Sequence, residues 1–243
     1  MHNDPYKIVS VIYNHIMQRL SYQEWSKYIS DIKAYYNNDA RKYLEIACGT
    51  GKLKNYLEKV FEDIVMLDIS KSMLDFVDES NKRICADMTR LPFKSNFDFI
   101  FSTFDSINYI TSEEEVIRYF GEVRNILSDG GIFTFDASLE MNSLKNAKRL
   151  NRRGTLKGIK YNQSSSYDND FKLHRNRFRL ELANGEIIEE VHTQKIYDFE
   201  FYFDAVEKSG LTVLDCCEAF TFEDANKESE RIQFIIKKNN ANI

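Results

Sequence analysis

Two glycines and a pair of acids in the first third of the chain are spaced as a ligand site would need them. Gly49 and Gly51 sit in the stretch Tyr43-Leu44-Glu45-Ile46-Ala47-Cys48-Gly49-Thr50-Gly51. Glycine permits positive φ and close approach of a ligand to the backbone. A turn of this kind between a strand and a helix leaves backbone N–H groups and the positive end of a helix dipole facing one point. Asp68 follows about 20 residues later, at the end of the next apolar run, where an acid can hold the paired hydroxyls of a ribose. Asp87 closes the third such run.

These residues need a frame. Residues 43–47 read as a buried strand, 52–61 as a helix and 64–67 as a second strand ending in Asp68. Ser70 reads as the N-cap of a helix over 71–79. A short third strand over 83–86 precedes Asp87-Met88. Residues 97–102 (Phe-Asp-Phe-Ile-Phe-Ser) form a fourth strand, apolar on both faces as central parallel strands are. Its carboxyl end leads into Thr103-Phe104-Asp105-Ser106-Ile107-Asn108-Tyr109, the place where open α/β sheets bind ligands. Ser112 and Glu115 suggest a capping box on a helix to residue 127. Asp129-Gly130-Gly131 stops it, and a fifth strand over 132–136 follows.

Glu45-x-Ala47-Cys48-Gly49-Thr50-Gly51, then Leu67-Asp68-Ile69-Ser70-x-x-Met73-Leu74, then Ala86-Asp87-Met88, resembles the class I S-adenosylmethionine (SAM) methyltransferases. Ala47 stands where that family usually has its first glycine. The resemblance covers residues 10–140 well and the remainder loosely. It implies a Rossmann-like α/β fold: a seven-stranded, mostly parallel sheet with helices on both faces, an N-terminal helical cap and an inserted antiparallel β-sheet. It implies S-adenosyl-L-methionine as cofactor, touched by Glu45, Ala47, Cys48, Gly49, Gly51, Asp68, Ile69, Met73, Asp87, Met88 and Thr103. In that family the acid at Asp87 meets the adenine amine and the next side chain packs on the ring. A nicotinamide-dependent oxidoreductase fits less well, because Leu53 occupies the region where a third glycine would stand.

Outside the glycine region the chain divides into a cap over 1–40, a core over 41–137 and 198–243, and an insertion over 138–197. Residues 6–36 carry apolar side chains at helical spacing and read as two or three helices with a break near Ser21. Their many aromatics serve either as packing on the sheet or, at Tyr13 and Trp25, as faces against the sulfonium of the methyl donor. Residues 137–152 read as a short helix and loop whose basic cluster is either a solvated face or a contact for an anionic part of the substrate. Residues 155–197 alternate with a period of two and read as about three antiparallel strands, with Ala183-Asn184-Gly185 as a hairpin turn. Such insertions form the substrate lid in small-molecule methyltransferases. Candidate substrate contacts are Ser106, Asn108, Tyr109, Tyr161, Arg177 and Arg179, and the candidate proton acceptors are Asp105 and His192. A helix over 199–209 and two antiparallel strands, 211–218 and 231–237, complete the core.

The 243 residues suit one α/β domain with an insertion. The net charge of −5 gives a nucleic-acid partner no electrostatic support. No apolar run reaches the ~20 residues that span a bilayer, and residues 1–8 carry no signal-peptide core. The four cysteines lack metal-site spacing and read as reduced, buried thiols, so no metal is expected. These features suggest a cytoplasmic enzyme with a small-molecule methyl acceptor, and they leave a homodimer open. In-line displacement at a sulfonium needs alignment more than a strong base. An amine acceptor is the simplest choice, and the phenylalanine-to-tyrosine loop 104–109 with the insertion is similar to amino-sugar N-methyltransferases. O- or C-methylation, or a SAM-binding protein without turnover, remain as alternatives.

Overall fold

The computed structural model describes residues 4–239. Strand order in the main sheet is β10-β11-β5-β4-β1-β2-β3. These strands are β1 (Tyr43–Ile46), β2 (Val65–Asp68), β3 (Arg83–Cys85), β4 (Phe97–Ser102), β5 (Leu127–Ser138), β10 (Leu211–Glu218) and β11 (Arg231–Lys238). All neighbours from β5 to β3 pair parallel, and β11 runs antiparallel to both β5 and β10. The chain winds outward from β1 through β2 to β3, then returns to lay β4 on the other side of β1. That reversal puts the carboxyl ends of β1 and β4 side by side.

Alternation along these strands divides the core into two layers. Leu44, Ile46, Ile100, Phe133 and Phe135 pack beneath the helices α5 (Glu113–Ile126) and α7 (Phe199–Lys208). Tyr43, Met66, Phe99, Phe101 and Ile235 pack on the opposite face with helix α2 (Tyr22–Tyr36). Helix α2 begins as its sequence suggests: Ser21 Oγ accepts the Glu24 N–H at 3.2 Å. It is preceded by α1 (Ser10–Ile16). The helices after the first two strands are shorter than the sequence suggests, α3 being Lys54–Leu57 and α4 Lys71–Leu74. Ser70 caps α4 as expected, accepting from Met73 N–H at 3.1 Å. The capping box at Ser112 does not form; its hydroxyl donates to Glu114 Oε2 instead. The glycine pair 130–131 falls inside β5, which begins directly at the end of α5.

The second sheet has four antiparallel strands, one more than the alternation suggests: β6 (Arg152–Leu156), β7 (Ile159–Asp168), β8 (Leu173–Glu181) and β9 (Ile187–Lys195). Helix α6 (Glu140–Arg149) leads into it. β6 escaped the sequence reading because it is short, basic and carries Gly154. That glycine is required: a Cβ there would lie 2.5 Å from the Tyr161 hydroxyl. Val9, Ile12 and Ile16 of the N-terminal segment form one apolar cluster with Tyr161, Phe178 and Leu180 of this sheet. The cap and the insertion are thus joined to each other over the carboxyl end of the main sheet.

Candidate active site

Between these parts lies a cavity of about 1310 Å³. This exceeds the ~300–1,000 Å³ usual for a single small ligand, leaving room for a cofactor and an acceptor together. Ala47, Cys48, Gly49, Asp68, Ile69, Met73, Asp87 and Met88 line one end. Ala47, Gly49 and Gly51 all have positive φ, at 58°, 56° and 66°. Alanine therefore holds the left-handed conformation that glycine would take more easily at the first position. The two glycines differ in what they leave room for. A Cβ on Gly51 would meet Val77 Cγ2 at 2.9 Å, so that residue serves packing and does not reach the cavity wall. A Cβ on Gly49 would meet only Tyr13 Cε1, at 4.0 Å, so Gly49 opens a cradle roofed by the Tyr13 ring.

Asp68 fixes this cradle. Its Oδ2 accepts the Gly49 N–H and its Oδ1 the Ser70 N–H, both at 2.8 Å. Each oxygen keeps a lone pair for a hydroxyl. Burial raises its pKa to about 6, against the pull of those two N–H donors. Asp87 Oδ1 caps a turn by accepting from Thr89 N–H and Oγ1, each at 2.8 Å, and the residue lines the cavity beside Met88. Ile69, an apolar side chain left half exposed on the wall, offers a face to a flat ring. The open cradle, the acid with spare lone pairs and the apolar shelf fit S-adenosylmethionine.

Glu45 lies inside β1 and does not line the cavity. Its Oε2 is buried without a partner, and burial, then the Asp68 charge, raise its pKa to about 8. A carboxyl raised on folding contributes stability below its unfolded pKa that is lost as pH rises through the folded value. Glu45→Gln is therefore expected to match the native melting temperature at pH 4 and to exceed it by a growing margin at pH 6 and pH 9. Equal melting temperatures at pH 9 would refute the buried neutral carboxyl.

At the other end of the cavity the candidates separate. Asp105, in a left-handed conformation (φ 50°) next to Phe104 (φ 61°), is already engaged. Its Oδ2 accepts from Ser138 Oγ (2.9 Å) and Gln194 Nε2 (3.0 Å), and its Oδ1 faces Arg231 Nη2 at 3.2 Å. Arg231 also binds Asp136, whose carboxyl is buried and raised to about 6, chiefly by that burial. Ser106 and Tyr109 line the cavity, and Tyr6 donates to the Tyr109 hydroxyl at 2.6 Å. Tyr161 lines it too, packed edge-on to His15. His192 is 4% exposed, lies on the wall and stacks on Tyr6 at 4.1 Å between centroids. Its Nε2 is 2.7 Å from Glu190 Oε1 without the alignment of a hydrogen bond, so both buried atoms stay unsatisfied.

Several expectations need correction. Arg177 and Arg179 point away from the cavity and pair with Glu189 on the outer face (3.6 and 3.8 Å). The inward residues of β8 are His174, Asn176, Phe178 and Leu180, the opposite phase of the same alternation. Asn108 is fully buried and structural: its amide binds the carbonyls of Ser138 and Lys195 and its Oδ1 the Ser138 N–H. Thr103 is buried beneath the loop, its carbonyl accepting from Ser106. Trp25 reaches the wall, but most of its ring is packed between Phe104 and Phe220 (4.8 and 4.6 Å). Cys85 is exposed on β3, not buried. Sequence reasoning missed Arg231, Tyr6, Gln163, His174, Asn176 and Gln194. Arg231 carried a signal, a lone cation opening an apolar strand; Tyr6 carried none.

Residues 44–135 match the protein family described as a methyltransferase domain. A candidate methyltransferase of Geobacillus sp. (strain WCH70) is 25% identical over 96% of this chain and 99% of its own. Among solved structures, an S-adenosylmethionine-dependent methyltransferase from Clostridium acetobutylicum ATCC 824 superposes with a TM-score of 0.78 at 24% identity, covering 97% of this chain and 99% of its own. The sugar N-methyltransferase KedS8 from Streptoalloteichus sp. ATCC 53650 gives 0.75 at 16% identity, over 97% and 95%. With the sheet order and the glycine cradle, the match over residues 44–135 and the Geobacillus relative support a class I SAM-dependent methyltransferase. S-adenosyl-L-methionine is its cofactor. No helix among the described residues is long and apolar enough to cross a membrane.

Proposed function

We propose that this chain N-methylates an amine on a small molecule. The observation that carries the reading is His192: a buried imidazole on the wall of a two-ligand cavity, with no hydrogen bond among the described residues. Buried polar atoms are normally satisfied. An imidazole on a cavity wall, with Glu190 Oε1 2.7 Å from its Nε2, is suited to take the proton that an amine sheds on alkylation. When bound, S-adenosylmethionine supplies an electrophilic methyl on a sulfonium. Gly49, Asp68, Asp87 and Met88 hold it, and Tyr13 roofs it with an aromatic face. The cap over 4–40 and the insertion over 138–197 close the acceptor side and exclude water. Asp105 belongs to the frame: with Arg231, Ser138 and Gln194 already bound, it orients the loop after β4. The likeness to KedS8 supports an amine acceptor.

The test is an amine screen read as S-adenosylhomocysteine release, followed by His192→Asn. Loss of a general base costs typically 10²–10⁴-fold. We expect kcat to fall by about 100-fold or more with S-adenosylhomocysteine affinity unchanged. Unchanged kcat in the variant removes His192 from the chemistry, and acceptors found only among alcohols or carbon acids replace the amine.

A further inference from the structure

The acceptor end of the cavity carries a charge that the methyl-transfer chemistry does not explain. Arg19, Arg149, Arg152 and Arg153 all line it. Among the described residues none of the four forms an ion pair. That is unusual company in a chain of net charge −5. The acids on the same wall are Glu24, Asp68, Asp87, Asp105 and Glu115: Asp68 and Asp87 lie at the glycine end, Asp105 pairs with Arg231, and among the described residues neither Glu24 nor Glu115 forms an ion pair with any of the four arginines. The lysine on the wall, Lys52, lies over the Tyr22 ring 4.7 Å from its centroid.

Arg152 is positioned rather than merely present. Its Nη1 donates to the Ile16 carbonyl at 2.9 Å and its Nε to Gln163 Oε1 at 2.6 Å. These bonds spend two of its five donors and aim a half-buried guanidinium across the gap between α1 and the inserted sheet. Burial works against its charge, and the nearby Arg19 adds to that. Arg149, in the last turn of α6, is accounted for in part by the helix dipole. The dipole does not account for the other three. Like charges gathered without counter-charges destabilise the empty site, and a polyanion would relieve it. Arginine's planar fork matches the oxygens of a phosphate or diphosphate, and four guanidinium groups exceed what a single carboxylate can neutralise.

We infer that the acceptor is a phosphate or diphosphate ester, held through its phosphate by Arg19, Arg149, Arg152 and Arg153. The inference rests on the methyltransferase reading of the same cavity and narrows its acceptor. Inorganic pyrophosphate is the probe, titrated calorimetrically into the full chain loaded with S-adenosylhomocysteine. Binding is expected, weakening as salt rises. The pair Arg19→Glu and Arg149→Glu, both exposed side chains, should weaken it about 30-fold or more by reversing two of the four charges. S-adenosylhomocysteine affinity should stay within about twofold, since neither residue touches the glycine end. The neutral pair Arg19→Gln and Arg149→Gln should move the same way with smaller amplitude. No pyrophosphate binding by the native chain, equal binding in both variant pairs, or tighter binding of succinate than of pyrophosphate overturns the assignment. Failure of S-adenosylhomocysteine to bind while pyrophosphate does bind would instead strike the methyltransferase reading and leave the anion site standing.

Discussion

Asp68→Ala is expected to raise the dissociation constant for S-adenosylhomocysteine by about 100-fold or more. The side chain does two things at once. It accepts the N–H groups of Gly49 and Ser70, which sets the turn after β1, and it keeps lone pairs for a diol. Hydrogen bonds to a charged group contribute roughly 1.5–3 kcal/mol each. Losing two from the ligand and loosening the cradle together reach that hundredfold range. Native affinity should also fall as pH drops through about 6, because the pKa of Asp68 is raised to that value and the protonated acid loses acceptor capacity. Isothermal titration of native and variant chains at pH 8 and pH 5 measures both effects. A dissociation constant that differs by less than tenfold in the variant would remove Asp68 from the cofactor site.

The second large effect lies under the acceptor end. Arg231 joins Asp105 and Asp136, whose side chains are 19% and 0% exposed. Removing one member of a buried ion cluster leaves uncompensated charge and costs about 3–5 kcal/mol. Arg231→Met should therefore lower the melting temperature by roughly 10 °C. The pH dependence has a definite sign. Asp136 already has its folded pKa raised from 3.8 to about 6, and Arg231 is the charge that restrains it. Without Arg231 the pKa climbs further. A carboxyl raised in the folded state favours folding at low pH and loses that favour as pH rises through its folded value. The deficit of the variant should be larger at pH 8 than at pH 5. Thermal melts at the two values would show it, and a deficit that grows on acidification would contradict the assignment of Asp136 as the strained partner.

Much of this was legible in the residues. The five parallel strands, the helix break near Ser21, the Ser70 cap and the two acids at strand ends follow from local patterns that tertiary contacts do not override. What failed, failed for particular physical reasons. Residues 173–181 alternate cleanly, but alternation alone does not say which face is inside. Phe178 and Leu180 mark the buried face, which turns Arg177 and Arg179 outward. Asp105 resembles a free acid because its partners, Arg231 and Gln194, come from strands far along the chain. Asn108 resembles a substrate contact because its type and place suit one. Its amide is spent joining the loop to β5 and to the end of the inserted sheet. Polar side chains after a parallel strand serve the backbone as readily as a ligand, and only the partners distinguish the two.

The cluster of Val9, Ile12 and Ile16 with Tyr161, Phe178 and Leu180 has a consequence for chimeras. The walls around the acceptor come from two segments more than half the chain apart, and their apolar faces were fitted to each other. Transplanting the inserted sheet from a relative would leave a foreign surface against the resident helix α1. A graft that alters acceptor choice while keeping a folded enzyme must carry the first helix with the sheet. The exchangeable module is discontinuous in sequence and continuous in space.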